Sequence, residues 1–257
     1  MTMPLEIITL PCLSDNYAYL IHNPASSETA LVDAPEAGAI KAALSERGWG
    51  LDWILLTHHH WDHVDGVADL RDAYDAKVIG AAADAHRLPP LDQAVADGER
   101  FSLLGEEVLV MDVSGHTVGH IAFYLPGAEA VFTADSLMAL GCGRLFEGTP
   151  QQMWASLSRL ADLPPQTMVY SGHEYTQSNG AFAATIDADN PALQERLRDI
   201  ASTRAAGRPT VPASLQLELD TNPFLRPHDP AIRAALRMED AEDVEVFAEV
   251  RKRKDNF

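Results

Sequence analysis

Residues 57 to 63 read Thr57-His58-His59-His60-Trp61-Asp62-His63, and His58, His60, Asp62 and His63 fall on the spacing H-x-H-x-D-H. Four groups able to ligate a metal within six positions are costly to bury together unless a cation pairs with them. Directly upstream, Trp53-Ile54-Leu55-Leu56-Thr57 is a short apolar run. It predicts a strand buried on both faces, with the histidines on the loop at its C-terminal end. Open α/β sheets bind their ligands at that edge. Metal binding is therefore preferred over a solvated, histidine-rich loop.

Further ligands are expected at other strand ends, because a hydrolytic metal site needs more protein groups than one loop supplies. His116 lies in Gly115-His116-Thr117-Val118-Gly119-His120, Asp135 follows Ala130-Val131-Phe132-Thr133-Ala134, and His173 follows Met168-Val169-Tyr170-Ser171-Gly172. Small residues beside them permit close backbone approach. His58, His60, Asp62, His63, His116, Asp135 and His173 are too many for one tetrahedral ion but suit two divalent ions sharing a carboxylate. All donors are nitrogen or oxygen, which fits zinc, iron or manganese. Two such ions, roughly 3.5–4 Å apart, can hold a bridging hydroxide and polarise a carbonyl or phosphoryl oxygen, so hydrolysis is the natural reaction.

The remaining histidines carry blander readings. His120 opens an apolar strand and is structural. His59 points away from the ligands, toward solvent or a supporting group. His22, His86 and His228 are read as surface residues, and Asp33 as a partner that orients a histidine.

The elements that must position these groups alternate. Strands are expected at Glu6–Leu10, Tyr17–His22, Ala30–Asp33, Trp53–Thr57, Lys77–Gly80, Val108–Val113, Ile121–Leu125, Ala130–Thr133 and Thr167–Tyr170. Helices are expected at Ala39–Arg47, Val64–Tyr74 and Met153–Ala161, the last entered through Pro150 and stopped at Pro164-Pro165. After residue 175 the pattern turns helical, with Asn190–Ala205, Ala213–Leu219, Pro230–Arg237 and Ala241–Lys254. This divides the chain into a sheet-containing domain, 1–175, and a helical one, 176–257.

Composition narrows the function classes. The chain has 257 residues and a net charge of −19, which argues against nucleic-acid partners. The acidity is uneven: residues 1–175 hold 8 Lys and Arg against 24 Asp and Glu, residues 176–257 hold 11 against 14. Arg251-Lys252-Arg253-Lys254 is a basic cluster in that second part. No apolar stretch approaches the roughly 20 residues of a membrane span. The start, Met1-Thr2-Met3-Pro4-Leu5, has no leader signature, and Cys12 and Cys142 are too few for a disulfide framework. A cytoplasmic monomer acting on a small molecule is expected.

The H-x-H-x-D-H motif with the later histidine, aspartate and histidine resembles the metallo-β-lactamase superfamily. Ser14-Asp15-Asn16-Tyr17, Gly115–His120, Phe132–Leu137, Gly141–Gly148, Ser171–Thr176, Asn222–Arg226 and Arg251–Phe257 are similar to blocks of the glyoxalase II, or hydroxyacylglutathione hydrolase, family within it. The resemblance implies an α/β fold, a metallo-β-lactamase-like αββα sandwich followed by a small helical domain that binds glutathione. It implies one metal on His58, His60 and His116, a second on Asp62, His63 and His173, and Asp135 bridging them, with Asp62 and Asp135 serving catalysis. The implied reaction is hydrolysis of S-D-lactoylglutathione to D-lactate and glutathione by a metal-bridging hydroxide, zinc being the first choice of metal.

Glutathione carries carboxylates, and the family's contacting positions match Arg144, Phe146, Tyr175, Arg251 and Lys254. Two depart from the common pattern: Arg144 stands where lysine is usual, and Phe146 where tyrosine is usual. Arginine keeps the charge with a different donor geometry, and phenylalanine removes a hydroxyl. The tail also has a structural reading, because acidic residues at its start and basic ones at its end complement a helix dipole. The rival on the same fold is an iron-dependent glutathione persulfide dioxygenase, which uses one iron on two histidines and an aspartate. A metal-dependent nuclease is disfavoured by the charge, and a non-catalytic metal binder by the intact ligand set.

Overall fold

The computed structural model describes residues 4–257; the reading of the chain start, which rests in part on Met1, Thr2 and Met3, lies outside them. The chain forms two compact units, one running up to Asp112 and including Gly119–Thr133, the other made of Val113–Val118 and Ala134–Phe257.

In the first unit, β1 (Glu6–Cys12), β2 (Asn16–Asn23), β3 (Glu28–Val32), β4 (Trp53–Leu55), β5 (Lys77–Ala81) and β6 (Gln93–Val95) form one sheet in that order. The first three pair antiparallel, and β3 to β6 run parallel. The parallel pairs need crossovers: α1 (Ala37–Arg47) joins β3 to β4, α2 (Trp61–Val64) with α3 (Val67–Tyr74) joins β4 to β5, and a segment with a short helical turn at Ala82–Asp84 joins β5 to β6. Gly48, with φ 67°, ends α1 by donating to Leu44 O and Ser45 O. A second, antiparallel set is β7 (Arg100–Leu103), β8 (Glu106–Asp112), β9 (Ile121–Leu125) and β10 (Ala130–Ala134). The Tyr19 and Phe132 rings, 5.6 Å apart, meet in the core between the two sets.

The helix expected over Val64–Tyr74 is broken at Asp65-Gly66. Gly66 N–H donates to Ala34 O at 2.8 Å, and a Cβ on Gly66 would lie 2.9 Å from Ala37 N. This close backbone approach splits the helix and leaves Asp62 and His63 on the short helical turn α2.

The second unit holds the hairpin β11 (Leu137–Met138) and β12 (Gly141–Cys142), α4 (Pro150–Ala161), and the paired strands β13 (Met168–Ser171) and β14 (Ala213–Ser214). The helices α5 (Thr176–Ile186), α6 (Pro191–Ala205), α7 (Leu215–Thr221), α8 (Pro230–Leu236) and α9 (Asp243–Asp255) follow. Thr149 and Gln152 form a capping box on α4, and Asn190 caps α6. The expected helix Ala213–Leu219 begins two residues later, because Ala213 and Ser214 pair with β13 and the Ser214 hydroxyl then caps α7. Phe182, Phe224 and Phe247 pack through the helical core at centroid spacings of 6.1 and 6.0 Å, the first pair tilted and the second edge-on.

A buried carboxylate ties this unit together. Glu218 accepts from the Arg196 guanidinium, from Leu140 N–H at 2.9 Å and from Asn222 Nδ2 at 3.1 Å, while Asn222 Nδ2 also donates to Met138 O and Gly141 O. The hairpin that follows Asp135 is thereby held by α6 and α7. Replacing Glu218 by alanine strands a buried guanidinium and several donors. The expected loss is about 3–5 kcal/mol of stability, read from urea unfolding.

Candidate metal centre

In the first unit the parallel pairing of Val32 with Leu55 brings the ends of β3 and β4 level. Asp33, at φ 56°, turns the chain there and donates its N–H to Leu55 O at 2.9 Å. Its carboxylate accepts from Thr57 N–H at 2.9 Å, Thr57 Oγ1 at 2.8 Å and His63 Nδ1 at 2.8 Å. The Thr57 hydroxyl spends its proton on Asp33, so its oxygen accepts from His58 Nδ1 at 3.0 Å. Both histidines carry their proton on Nδ1, and both Nε2 atoms are left as lone-pair donors to a metal. Ligand atoms of Asp33, His58 and His63 lie within 4.8 Å of one another, but the Asp33 carboxylate already accepts from three donors, which suits it to orienting the two imidazoles.

The His58 ring lies 4.7 Å from His60 and 4.2 Å from His63. Asp62 is fixed by Asn16, whose Nδ2 donates to Asp62 O and Oδ2, each at 3.0 Å. Asp62 Oδ2 in turn lies 3.8 Å from His63 Nε2. His120 is buried, bonded to Ile121 O and stacked on His58 at 4.6 Å, as a structural histidine should be. His22 is not a surface residue: it is buried, 2.9 Å from Thr29 Oγ1, and stacked on Trp49 at 4.1 Å. Polar neighbours in sequence hid its position on β2, whose inner side is apolar. His86 and His228 are exposed.

The second unit brings His116, Asp135 and His173 together. Asp135 Oδ2 lies 3.4 Å from His116 Nε2 and 3.3 Å from His173 Nε2, a carboxylate between two imidazoles. Gly172 N–H donates to Ala134 O at 3.0 Å, which sets Asp135 and His173 side by side. His116 Nδ1 donates to Arg144 O at 2.8 Å, again leaving Nε2 for a metal. That bond needs a glycine nearby: a Cβ on Gly143 would lie 2.9 Å from His116 Nδ1 and overlap the Asp135 carbonyl.

Asp33, His58, His63, His116, Asp135 and His173 are all buried. Burying this many ionisable donors is costly without a cation, and three of the imidazoles are oriented as metal ligands are. The clustered histidines and aspartates fit a dinuclear metal site. Asn16, Thr57 and Gly143 are supporting residues that ligand spacing alone does not reveal. Asn16 and Gly143 sit inside recognisable sequence blocks, and Thr57 has no sequence signal beyond its place at a strand end.

The glutathione-matching residues also fall in the second unit. Phe146, 62% exposed, lies edge-on to His116, and Tyr175, 40% exposed, stacks on His173 at 4.6 Å. Arg144 lies 3.4 Å from Asp255. Arg251 is buried, donating to Cys142 O at 2.8 Å and Asp255 at 2.9 Å across the Phe224 face. Lys254 reaches Ser178 O at 3.3 Å and lies over the rings of Phe182 and Phe257.

Comparison with known proteins agrees with this arrangement. Residues 14–173 match the family model of the metallo-β-lactamase superfamily, and residues 174–257 that of the hydroxyacylglutathione hydrolase C-terminus. BLEG-1, a B3 metallo-β-lactamase, is similar in structure at TM-score 0.67 and 21% identity, over 86% of this chain and 100% of its own. TTHA1623 in a di-iron-bound form gives TM-score 0.62 and 28% identity, over 86% and 100%. The chain thus has the α/β metallo-β-lactamase fold with a helical C-terminal domain.

Within that superfamily the full-length relatives are specific. A hydroxyacylglutathione hydrolase of Ruegeria pomeroyi is 67% identical over 99% of this chain and 100% of its own, and one of Roseobacter denitrificans is 62% identical over the same shares. The chain belongs to the hydroxyacylglutathione hydrolase family and is an enzyme. These relatives do not favour the persulfide dioxygenase reading.

Asp33→Asn keeps the volume but replaces an acceptor with a donor facing Thr57 or His63. Metal affinity, measured by competition with a chromophoric chelator, is expected to fall about 10–100-fold.

Proposed function

We propose that this protein hydrolyses S-D-lactoylglutathione to D-lactate and glutathione. The observation that carries the reading is the full-length similarity to hydroxyacylglutathione hydrolases, joined to histidines whose Nδ1 atoms are already committed. His58, His60 and His116 would hold one divalent ion, and Asp62, His63 and His173 the other, with Asp135 shared. Zinc fits this nitrogen and oxygen set, as do iron and manganese, and the di-iron form of TTHA1623 supports a two-metal reading. When bound, such ions supply water that ionises near neutral pH and charge that polarises a carbonyl.

The chain's own groups do the rest. Asn16 holds the Asp62 carboxylate in one orientation, from which it directs the attacking water at the thioester carbon. The C–S bond then breaks, and the glutathione sulfur leaves as a thiolate, a good leaving group because thiol pKa values are near 8.5. Neither cysteine competes as a nucleophile. Burial pushes the Cys12 thiol up to about 12 and the Cys142 thiol up to about 11, so neither is a thiolate at neutral pH.

Substrate choice rests on Arg144, Phe146, Tyr175, Arg251 and Lys254, which stand at the family's glutathione positions. Arg251 is committed to Cys142 O and Asp255 and acts from behind. Lys254 and Arg144 supply the charge that meets the glutathione carboxylates, and Tyr175 supplies a hydroxyl and a ring face. No helix of the described residues is long and apolar enough to cross a membrane.

The decisive experiment is hydrolysis of S-D-lactoylglutathione by purified protein with metals quantified in the same sample. Turnover is expected with about two metals per chain, lost on chelation and restored by zinc; a fully metallated preparation without turnover overturns the reading. Lys254→Met is expected to raise KM about tenfold, the equivalent of one charged hydrogen bond, with kcat largely held. Burial, and then the charge of Arg251, hold the Lys254 pKa below the usual lysine value. The cation is lost as pH rises through that lowered pKa, so wild-type KM should climb at a lower pH than an ordinary lysine would give. The climb should vanish in Lys254→Met.

A further inference from the structure

His59 sits between two metal-ligating histidines and ligates nothing in the reading above, yet its ring is fixed at both nitrogens. Its Nδ1 lies 3.0 Å from Asp84 Oδ2, and its Nε2 lies 3.3 Å from Arg87 Nη1. A guanidinium can only donate, so Nε2 accepts and the ring proton sits on Nδ1, donated to Asp84. Arg87 Nε closes the triangle at 2.5 Å from Asp84 Oδ1. The Asp84 side chain is 1% exposed, against 18% for His59 and 29% for Arg87. A carboxylate this deep persists only when paired and hydrogen-bonded.

The backbone explains what this triangle does. His59 lies between His58 and His60 in the chain, and the three rings are close: His60 is 4.7 Å from His58 and 5.0 Å from His59, centroid to centroid. Holding the His59 ring therefore restrains the two flanking peptides, on which both proposed ligands are mounted. A second brace acts on the same loop: His120 stacks on His58 with 10° between the planes. Its neighbour Gly119, at φ +100°, lies against Asp84, where an added Cβ would come within 3.0 Å of the Asp84 Cβ. Gly119 is thus the residue that lets Asp84 approach, and His120 the one that backs His58.

We propose that Asp84 and Arg87, acting through His59, are positioning residues that preset His58 and His60 for metal. This rests on the reading of His58 and His60 as metal ligands. It predicts a defect in metal affinity and not in substrate binding, because the triangle grips His59, which lies between two of the proposed ligands.

The test compares His59→Ala with His59→Asn, whose side-chain amide can still donate to Asp84 from near the Nδ1 position. Zinc affinity is measured by chelator competition on metal-free protein, without thioester. His59→Ala should bind zinc about 10–100-fold more weakly than wild type, and His59→Asn should recover most of that loss. The zinc-saturated alanine variant should keep the wild-type KM for the thioester. Arg87→Met, which removes the outer donor and leaves His59 in place, should give a smaller loss of the same kind. Thermal unfolding of the metal-free variants separates positioning from folding: the alanine and asparagine proteins should melt together. An alanine variant that binds zinc as tightly as wild type overturns the proposal, and so does an asparagine variant no better than alanine. Wild-type protein that binds zinc yet fails to hydrolyse the thioester overturns the proposed function alone; wild-type protein that binds no zinc overturns both.

Discussion

An imidazole has two nitrogens, and a metal can use only one that carries no proton. The first unit depends on settling that choice before any ion arrives. Asp33 does so from a single buried carboxylate: it takes the Nδ1 proton of His63 directly, and takes the Thr57 hydroxyl proton so that Thr57 must accept from His58. The arrangement is possible because β3 and β4 pair parallel and level, ending at Val32 and Leu55. Parallel neighbours end at the same edge, so the chain leaving each strand starts beside the other. Asp33 accepts a left-handed backbone to turn there, a conformation unusual outside glycine and concentrated at functional sites. Gly66 then closes the loop from below by packing on the Ala34 to Ala37 backbone.

The second unit solves the same problem with different atoms. His116 gives its Nδ1 proton to a main-chain carbonyl, that of Arg144, and not to a carboxylate. A carbonyl is a weaker acceptor than a carboxylate, but it carries no charge that would compete with Asp135 for a cation. The cost falls on Gly143, which must stay bare for the carbonyl to come close. Ala134, just before Asp135, has φ 41°, as Asp33 has 56°. Both units thus bend a non-glycine residue at a strand end to aim a carboxylate.

Much of this was legible in the sequence, and the reasons differ by element. The strands that lead into the candidate ligands were found because buried strands leave continuous apolar runs, and the histidines and aspartates stood out against them as polar groups at the ends. The strands at Gln93–Val95 and Arg100–Leu103 were missed because their exposed positions break any apolar run. The helix Thr176–Ile186 was missed because its buried face includes Thr176, Asn179 and Gly180 while Ala181 lies on the exposed face, so apolar and polar residues do not separate by period. The break at Asp65-Gly66 depends on a partner backbone far away in sequence, which local pattern does not contain. The orienting role of Thr57 was invisible for the same reason, since a hydrogen bond to a histidine leaves no periodicity; Asn16 lay inside a recognisable block, but its bond to Asp62 did not show.

The basic tail shows how burial sorts residues that look alike in sequence. Arg251 and Lys254 are three apart on one helix, and charge alone makes them equivalent. Arg251 is buried, with its guanidinium spread across the Phe224 ring, Cys142 O and Asp255. Arginine suits this place because its planar, weakly hydrated head tolerates burial and makes several fixed bonds at once. Lys254 keeps its amine near the surface, over Phe182 and Phe257, with long contacts to Ser178 O and Oγ at 3.3 and 3.4 Å. A lysine held there is already partly desolvated, and the nearby guanidinium disfavours its charge further. A carboxylate placed beside the amine would offset both penalties by its charge, which suits the anion-binding role proposed for Lys254. Arg251 thus holds the Cys142 hairpin in place, and under the proposed reading its charge also leaves Lys254 in need of a counter-charge.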